Sequence, residues 1–455
     1  MLTVQIKIIL FVCVFFVGAV SFPAPIFAED SLVLTENQSL GLANVFESQG
    51  QTENAKKIYA SLFNSSDYNL RTEAVFRLAN LAMREKDYNK AIKFYLHILK
   101  YYPNSVFARL ELARAYFMNA DYSLAEQQFL FVRSVKELPE EIAYNIDIFL
   151  SAIRRQKNWS VNTYFSLVPD SNLNYASGDK EECLIAFGGV FCRPLEQKET
   201  GLGIKYGLNA NHYLRFTRNF GLQTSIDFSA LDYSTSRYDD YDVIIALGPR
   251  YILNKGEISL QPLAGLRWYQ GNLYTNQYGI RLSSSFQLGN SWFFNAGTSY
   301  RNLSYKNNLL DKFLAADVIN LYVQPRYYIN NKSFLLFGLN YEYSYAKVKE
   351  YGYSALGLFL GYYNEWNFGF SSFIRADITN VNALESKYFI NQDYIPEAIV
   401  KKDWIGNIYV RITNRFLEWK NFYPAISYSY TKRFSNVWSQ EFDKHKIELE
   451  IGYRF

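Results

Sequence analysis

The chain has 455 residues, 49% of them hydrophobic and 18% aromatic, with 47 Lys+Arg against 43 Asp+Glu for a net charge of +4. That hydrophobic content excludes a disordered chain, the lack of a ~20-residue apolar run beyond the N-terminus excludes a helical membrane protein, and so mild a charge is no argument for nucleic acid. Three His leave little material for a His-rich metal site.

Composition changes along the chain. All seven Trp and 21 of the 24 Gly follow residue 156, whereas all three Met precede it. Two different materials are joined near Gln156. Residues 1–28 read as a signal peptide: Lys7 gives a thin positive start, Ile8 to Val20 an apolar stretch, and Ile26-Phe27-Ala28 a cleavage site. Cys13 leaves with it. Cys183 and Cys192 remain, with eight residues between them. In an oxidising compartment such a pair closes as a disulfide.

Residues 29–156 contain a pattern that returns after 34 positions. Leu78-Ala79 aligns with Leu112-Ala113, Asp87-Tyr88 with Asp121-Tyr122, Ala91 with Ala125 and Tyr95 with Phe129; Pro103 and Pro139 close the units. An earlier, weaker copy holds Leu42-Ala43, Gly50, Ala55 and Tyr59. The spacings are helical, and the pattern resembles the tetratricopeptide repeat, whose small residues let paired helices approach closely. Three units are expected, with Glu140 to Arg155 as a terminal helix. In such domains the exposed face of each first helix lines a peptide- or protein-binding groove. The corresponding positions include Asn44, Phe76, Asn80, Met83, Phe107, Leu110, Arg114 and Phe117. Apolar residues there suit a binding surface; packing against the terminal helix or the second domain is the equal alternative.

After Trp159 the period becomes two. Ile258, Leu260, Pro262, Ala264, Leu266 and Trp268 alternate with Glu257, Ser259, Gln261, Leu263, Gly265 and Arg267. Ile447, Leu449, Ile451, Tyr453 and Phe455 alternate with Lys446, Glu448, Glu450, Gly452 and Arg454, and Ser333 to Tyr345 behaves likewise. Alternating segments of about ten residues are the mark of an outer-membrane barrel. Short polar turns fall near 218–219, 254–256, 289–290, 330–332, 364–365 and 418–419. Longer connections fall at 170–199, 234–240, 270–275, 305–315, 347–352, 379–401 and 434–444. Six turns alternating with seven loops predict a 14-stranded antiparallel transmembrane β-barrel over residues 157–455, with both ends of the strand series, and the all-α solenoid joined to the first strand, on the periplasmic side. A soluble β-sandwich would need a closed apolar core instead of a charged inner face. Pro249, Pro262, Pro325 and Pro424 fall inside these strands, where each removes a ladder hydrogen bond; on neighbouring strands they would mark a flexible wall.

Pro169-Asp170-Ser171-Asn172-Leu173-Asn174, Tyr238-Asp239-Asp240-Tyr241, Leu260 to Trp268, Pro424 through Ser427-Tyr428-Ser429-Tyr430, Phe442-Asp443-Lys444 and Phe455 follow one another along the chain. In that order, after helical repeats, they resemble the surface lipoprotein assembly modifier (Slam) family of outer-membrane translocons. The Cys183/Cys192 pair is no part of that resemblance. The resemblance implies delivery of client proteins, surface lipoproteins or secreted haem- and iron-binding proteins, from periplasm to cell surface. It implies periplasmic chaperones as partners, with outer-membrane lipid around the barrel and Phe455 as the terminal aromatic read by the barrel-assembly machinery. A polysaccharide-export or solute porin is the alternative. No cofactor or catalytic set is expected: His97, His212 and His445 are scattered without a Ser or Cys partner, and Asp239, Asp240 and Asp443 read as solvated loop acids.

Overall fold

Seven helices precede the first strand in the computed structural model, which describes residues 34–186, 189–391, 393–419 and 421–454. The expected signal peptide and Phe455 lie outside the described residues. The helices form antiparallel pairs: α1 (Glu36–Ser48) with α2 (Thr52–Leu62), α3 (Tyr68–Arg84) with α4 (Tyr88–Tyr101), and α5 (Val106–Met118) with α6 (Tyr122–Arg133). A terminal helix, α7 (Glu140–Gln156), follows. Polar caps begin several of them. Thr35 and Gln38 form a reciprocal capping box before α1, Asp67 caps α3 and Ser105 caps α5.

Gly50, Lys86 and Ala120 occupy equivalent places between paired helices, and all three have left-handed backbone, with φ of 76°, 63° and 65°. Only glycine takes that conformation without a steric penalty. Lys86→Gly should therefore stabilise the repeat by about 1 kcal/mol, read as a rise in the melting temperature of the helical signal; an unchanged or lower value rejects it.

The chain divides into two compact units between Leu99 and Lys100, well before the change from helix to strand. In the first unit Ala43, Ala55, Ala74, Ile58, Tyr59, Leu62, Leu78 and Leu81 form one core. The second unit combines α5–α7 with a closed barrel of fourteen antiparallel strands. These are β1 (Trp159–Asp170), β2 (Gly201–Arg215), β3 (Phe220–Tyr233), β4 (Asp240–Leu253) and β5 (Gly256–Tyr269). Next come β6 (Asn272–Leu288), β7 (Trp292–Tyr305), β8 (Ala316–Asn330), β9 (Ser333–Ala346) and β10 (Tyr353–Glu365). The last are β11 (Phe370–Ala383), β12 (Lys402–Asn414), β13 (Phe422–Ser435) and β14 (Phe442–Arg454). Each strand pairs with its neighbours in sequence, and β1 closes on β14.

Short connections at 216–219, 254–255, 289–291, 331–332, 366–369 and 415–421 define one end of the barrel. The other end carries the long ones. The connection expected over 270–275 proves to be a two-residue turn, Gln270-Gly271, with φ of 54° and 73°. Two left-handed residues give the turn whose twist matches a hairpin, so β5 and β6 run on to its edge. Within the β1–β2 connection, Glu181–Ala186 and Gly189–Pro194 form a hairpin in which Cys183 faces Cys192 and the two are disulfide-bonded. Lys387–Ile390 and Pro396–Ile399 form a second hairpin between β11 and β12. The Ile185 N–H donates to the Tyr394 carbonyl, joining the two hairpins.

Alternation sorts the strand residues as expected. On β14, Ile447, Leu449 and Ile451 are exposed on the outside, while Lys446, Glu448 and Glu450 turn inward. The prolines leave visible marks. Pairing between β4 and β5 stops at Ala246 opposite Leu263 and resumes at Arg250 opposite Ser259, skipping both Pro249 and Pro262. The β8–β9 ladder skips Gln324–Pro325, and β12–β13 pairing ends beside Pro424.

Candidate functional site

The lumen is lined by amides, hydroxyls and paired charges. Lys205 and Lys446 both reach Glu448, at 3.1 and 3.0 Å; Arg411 meets Glu450 at 2.6 Å and Arg281 meets Asp227 at 3.2 Å. Each of these acids is thus matched by at least one base. Near the short-turn end a cavity of about 800 Å³ lies between α6–α7 and the wall, bordered by Arg154, Asn211, Gln223, Arg250, Glu257 and Ser259.

Helices α5–α7 cap that end. The Arg109 side chain is fully buried and donates to Glu365 Oε2 at 2.7 Å, to Gln128 Oε1 at 2.6 Å and to the Pro103 carbonyl at 2.9 Å. Glu365 ends β10, and its other oxygen accepts from Arg415. One carboxylate thus joins a helix cation to a barrel cation. Buried charges persist only when paired and hydrogen-bonded. Beside this triad the buried Phe131 ring of α6 meets Tyr328 edge-on at 5.4 Å and lies 6.1 Å from both Phe334 and Tyr363. Asn331 donates to the Asn104 carbonyl at 2.8 Å. From α7, Arg154 donates to the Asn254 carbonyl in the β4–β5 turn at 2.6 Å. Burial draws the Arg154 guanidinium below its ordinary pKa.

The positions expected to line a groove have divided roles. Asn44, Phe76, Asn80 and Met83 lie in the first unit; Phe107, Leu110, Arg114 and Phe117 lie in the second. Tyr59 and Tyr95 each donate to an amide oxygen, of Asn44 and Asn80 respectively, at 2.7 Å. These asparagines therefore brace their own helix pairs. Phe76 lies 5.8 Å from Tyr95, and Met83 is half-buried. In the third pair Phe129 replaces the tyrosine and stacks on Phe149 of α7 at 4.9 Å. Phe117 meets the same Phe149 at 5.1 Å, so its ring packs against the terminal helix. Phe107 remains 60% exposed, Leu110 is half-buried, and the exposed Arg114 pairs with Glu111.

At the long-loop end three of the sequence stretches singled out above converge. Asp170 accepts from Lys444 at 2.8 Å, from the Tyr233 hydroxyl at 2.9 Å and from the Asn172 N–H at 3.0 Å. Asn172 in turn donates to the Asp443 carbonyl, and Ser171 and His445 exchange two bonds across the seam. Asp239 accepts from the Tyr233 N–H, while Tyr238, Tyr233 and Leu173 pack together. Asp443 pairs with Lys198, and Asp240 with Arg267. Asp443 thus stands at the barrel's closing seam, whereas Asp239 braces the β3–β4 connection and Asp240 the β4–β5 ladder, roles their spacing gave no sign of. His212 lies against Trp159, His97 against Phe63, and His445 bonds Tyr428.

Residues 159–455, the barrel with these converging stretches, match the model of a protein family described as surface lipoprotein assembly modifier. The chain belongs to that family. A tetratricopeptide-repeat model matches residues 73–105. The surface lipoprotein assembly modifier of Pasteurella multocida (strain Pm70) is 24% identical over 83% of this chain and 75% of its own length. Surface lipoprotein assembly modifier 1 of Haemophilus influenzae (strain Rd) is 25% identical over 82% of this chain and 76% of its own. Among solved structures, the outer membrane channel DcaP of Acinetobacter baumannii covers 65% of this chain and 97% of its own, with 8% identity and a TM-score of 0.37. This family member is an outer-membrane protein, and its outward apolar residues face lipid.

Proposed function

We propose that the protein assembles surface lipoproteins at the outer membrane by carrying them, or related secreted haem- and iron-binding proteins, from the periplasm to the cell surface. The observation that carries this reading is the helical cap on the short-turn mouth of a family barrel. Short turns belong to the periplasmic side of such barrels. The repeat helices then meet the client first, and a lumen of neutral amides and balanced charges offers it hydrogen-bonding groups without a fixed sequence preference. The partners are the client and the chaperones that hold it unfolded. The action needs no catalytic residue.

Deletion of residues 34–156 should leave a barrel that inserts into the outer membrane yet fails to display its client. The measurement is exposure of a co-expressed surface lipoprotein to antibody or protease on intact cells. Normal display by the truncated protein overturns the reading, as does loss of surface polysaccharide with lipoprotein display unaffected.

A further inference from the structure

We propose that the barrel wall opens between β4 and β5, that this slit carries the acyl chains of a lipidated client through the lipid, and that α7 holds the hairpin shut. The proposal rests on the function given above. A lipidated chain whose polypeptide moves through an aqueous lumen keeps its acyl chains in lipid only if the wall parts along the path. The covalent link between the two has to cross the ladder. The slit therefore belongs where the ladder is weakest.

That place is defined by two prolines. The β3–β4 ladder runs through Pro249, opposite Leu222, and the β5–β6 ladder runs through Pro262, opposite Ile280. Both missing N–H donors therefore fall on the one ladder between β4 and β5, where pairing is absent over Leu247–Pro249 and Leu260–Pro262. In lipid no water replaces a lost rung. On the outside of the break stand Leu247 and Leu260, both exposed to lipid; on the inside stand Gly248 and the buried Gln261. Gly248 lets the Leu260 carbonyl lie against its Cα, since a Cβ there would come within 2.0 Å of that oxygen. The 800 Å³ cavity borders the same two strands through Arg250, Glu257 and Ser259.

The hairpin is held at its turn. Arg154 of α7 donates to the Asn254 carbonyl, and Arg250 of β4 donates back to the Arg154 carbonyl at 3.3 Å. The repeat-derived helix thus grips the hairpin whose ladder is broken. Its far end keeps ladder pairing from Asp240–Tyr269 to Ala246–Leu263. The one side-chain ion pair there among the described residues, Arg267 with Asp240, is 41% and 33% exposed, a class of pair that holds weakly. The β1–β14 seam also has a gap, at Val168–Pro169, but only one proline lies there. Its far end carries the buried Asp170–Lys444 pair, with side chains 1% and 10% exposed.

The test uses the full-length protein in phosphatidylethanolamine/phosphatidylglycerol vesicles, with a phosphatidylethanolamine bearing a maleimide at the end of one acyl chain. Cys183 and Cys192 are tied to each other, so single cysteines are introduced on the lumen face: Leu263→Cys beside the break, Ser166→Cys at the seam, and Thr379→Cys on the unbroken β11–β12 ladder. Leu263→Cys should be labelled at least about tenfold faster than the other two, and adding Pro249→Ala with Pro262→Ala, which restores both donors, should slow it by about tenfold. Equal rates at the three positions, fastest labelling at Ser166→Cys, or a rate indifferent to the alanines would overturn the proposal. No client is present, so absence of labelling here and loss of display in the deletion experiment are separate results.

Discussion

Glu365→Ala should release α5–α7 from the barrel mouth, weakening their docking by about 3–5 kcal/mol. The carboxylate is the only acid among the described residues in contact with both Arg109 and Arg415. Without it the buried Arg109 guanidinium faces that of the half-buried Arg415, and the Arg109 side chain has 0% exposure through which to reach water. Neutral partners, the Gln128 and Pro103 oxygens, remain but cannot balance the charge. Two measurements check the outcome: protease should cut within 100–156 while the barrel stays intact, and ion conductance across a planar bilayer should rise. Arg109→Met leaves Glu365 paired with Arg415 and should give a smaller change in the same direction. Unaltered protease resistance and conductance in Glu365→Ala would reject the cap.

A loss of similar size is expected at the other end. Asp170→Ala strands the buried Lys444 ammonium and removes the acceptor of Tyr233, again about 3–5 kcal/mol. Asp240→Ala breaks a pair of comparable length, 2.6 against 2.8 Å, but an exposed one, worth about 0–1 kcal/mol. Heating in detergent and following the compact barrel band on a gel gives the comparison. The band should disappear at a distinctly lower temperature in Asp170→Ala, while Asp240→Ala follows the parent. The reverse order would reject the seam as the place where the barrel is locked.

Much of this fold was legible in the sequence because its signals are periodic. Lipid outside and water inside impose a period of two, and a repeat unit imposes a return after 34 residues. The contacts that join helix to barrel have no period. Arg109 lies 256 positions from Glu365, and in a helix it reads as one more surface cation. A signal was nonetheless present: at a shift of 34 residues Arg109 takes the place of Val75, and both are buried. A charge in an apolar repeat position asks for a distant partner. Glu365 concealed itself differently, as a polar residue beside a turn. The groove positions failed to separate from structural ones because Asn44 and Asn80 are polar on a first-helix face either way. Only the hydroxyls of Tyr59 and Tyr95 decide their use. Residues 270–275 read as a loop because Asn272 and Thr275, polar residues at a strand edge, carry no sign of the ladder they join.

The seam also dictates an order of events during folding. Every other ladder of the barrel joins strands adjacent along the chain, whereas Ser171 meets His445 across 274 positions. Local hairpins close short loops at small entropic cost; this contact closes nearly the whole barrel sequence at once. Until then the sheet is open and its first and last strands are bare edges able to pair with other chains. Asp170 and Lys444 are buried only after closure, so their pairing registers that all fourteen strands have arrived. A chain stalled before β14 has no partner for Asp170 and stays an open ribbon, distinguishable from a finished barrel by that edge alone.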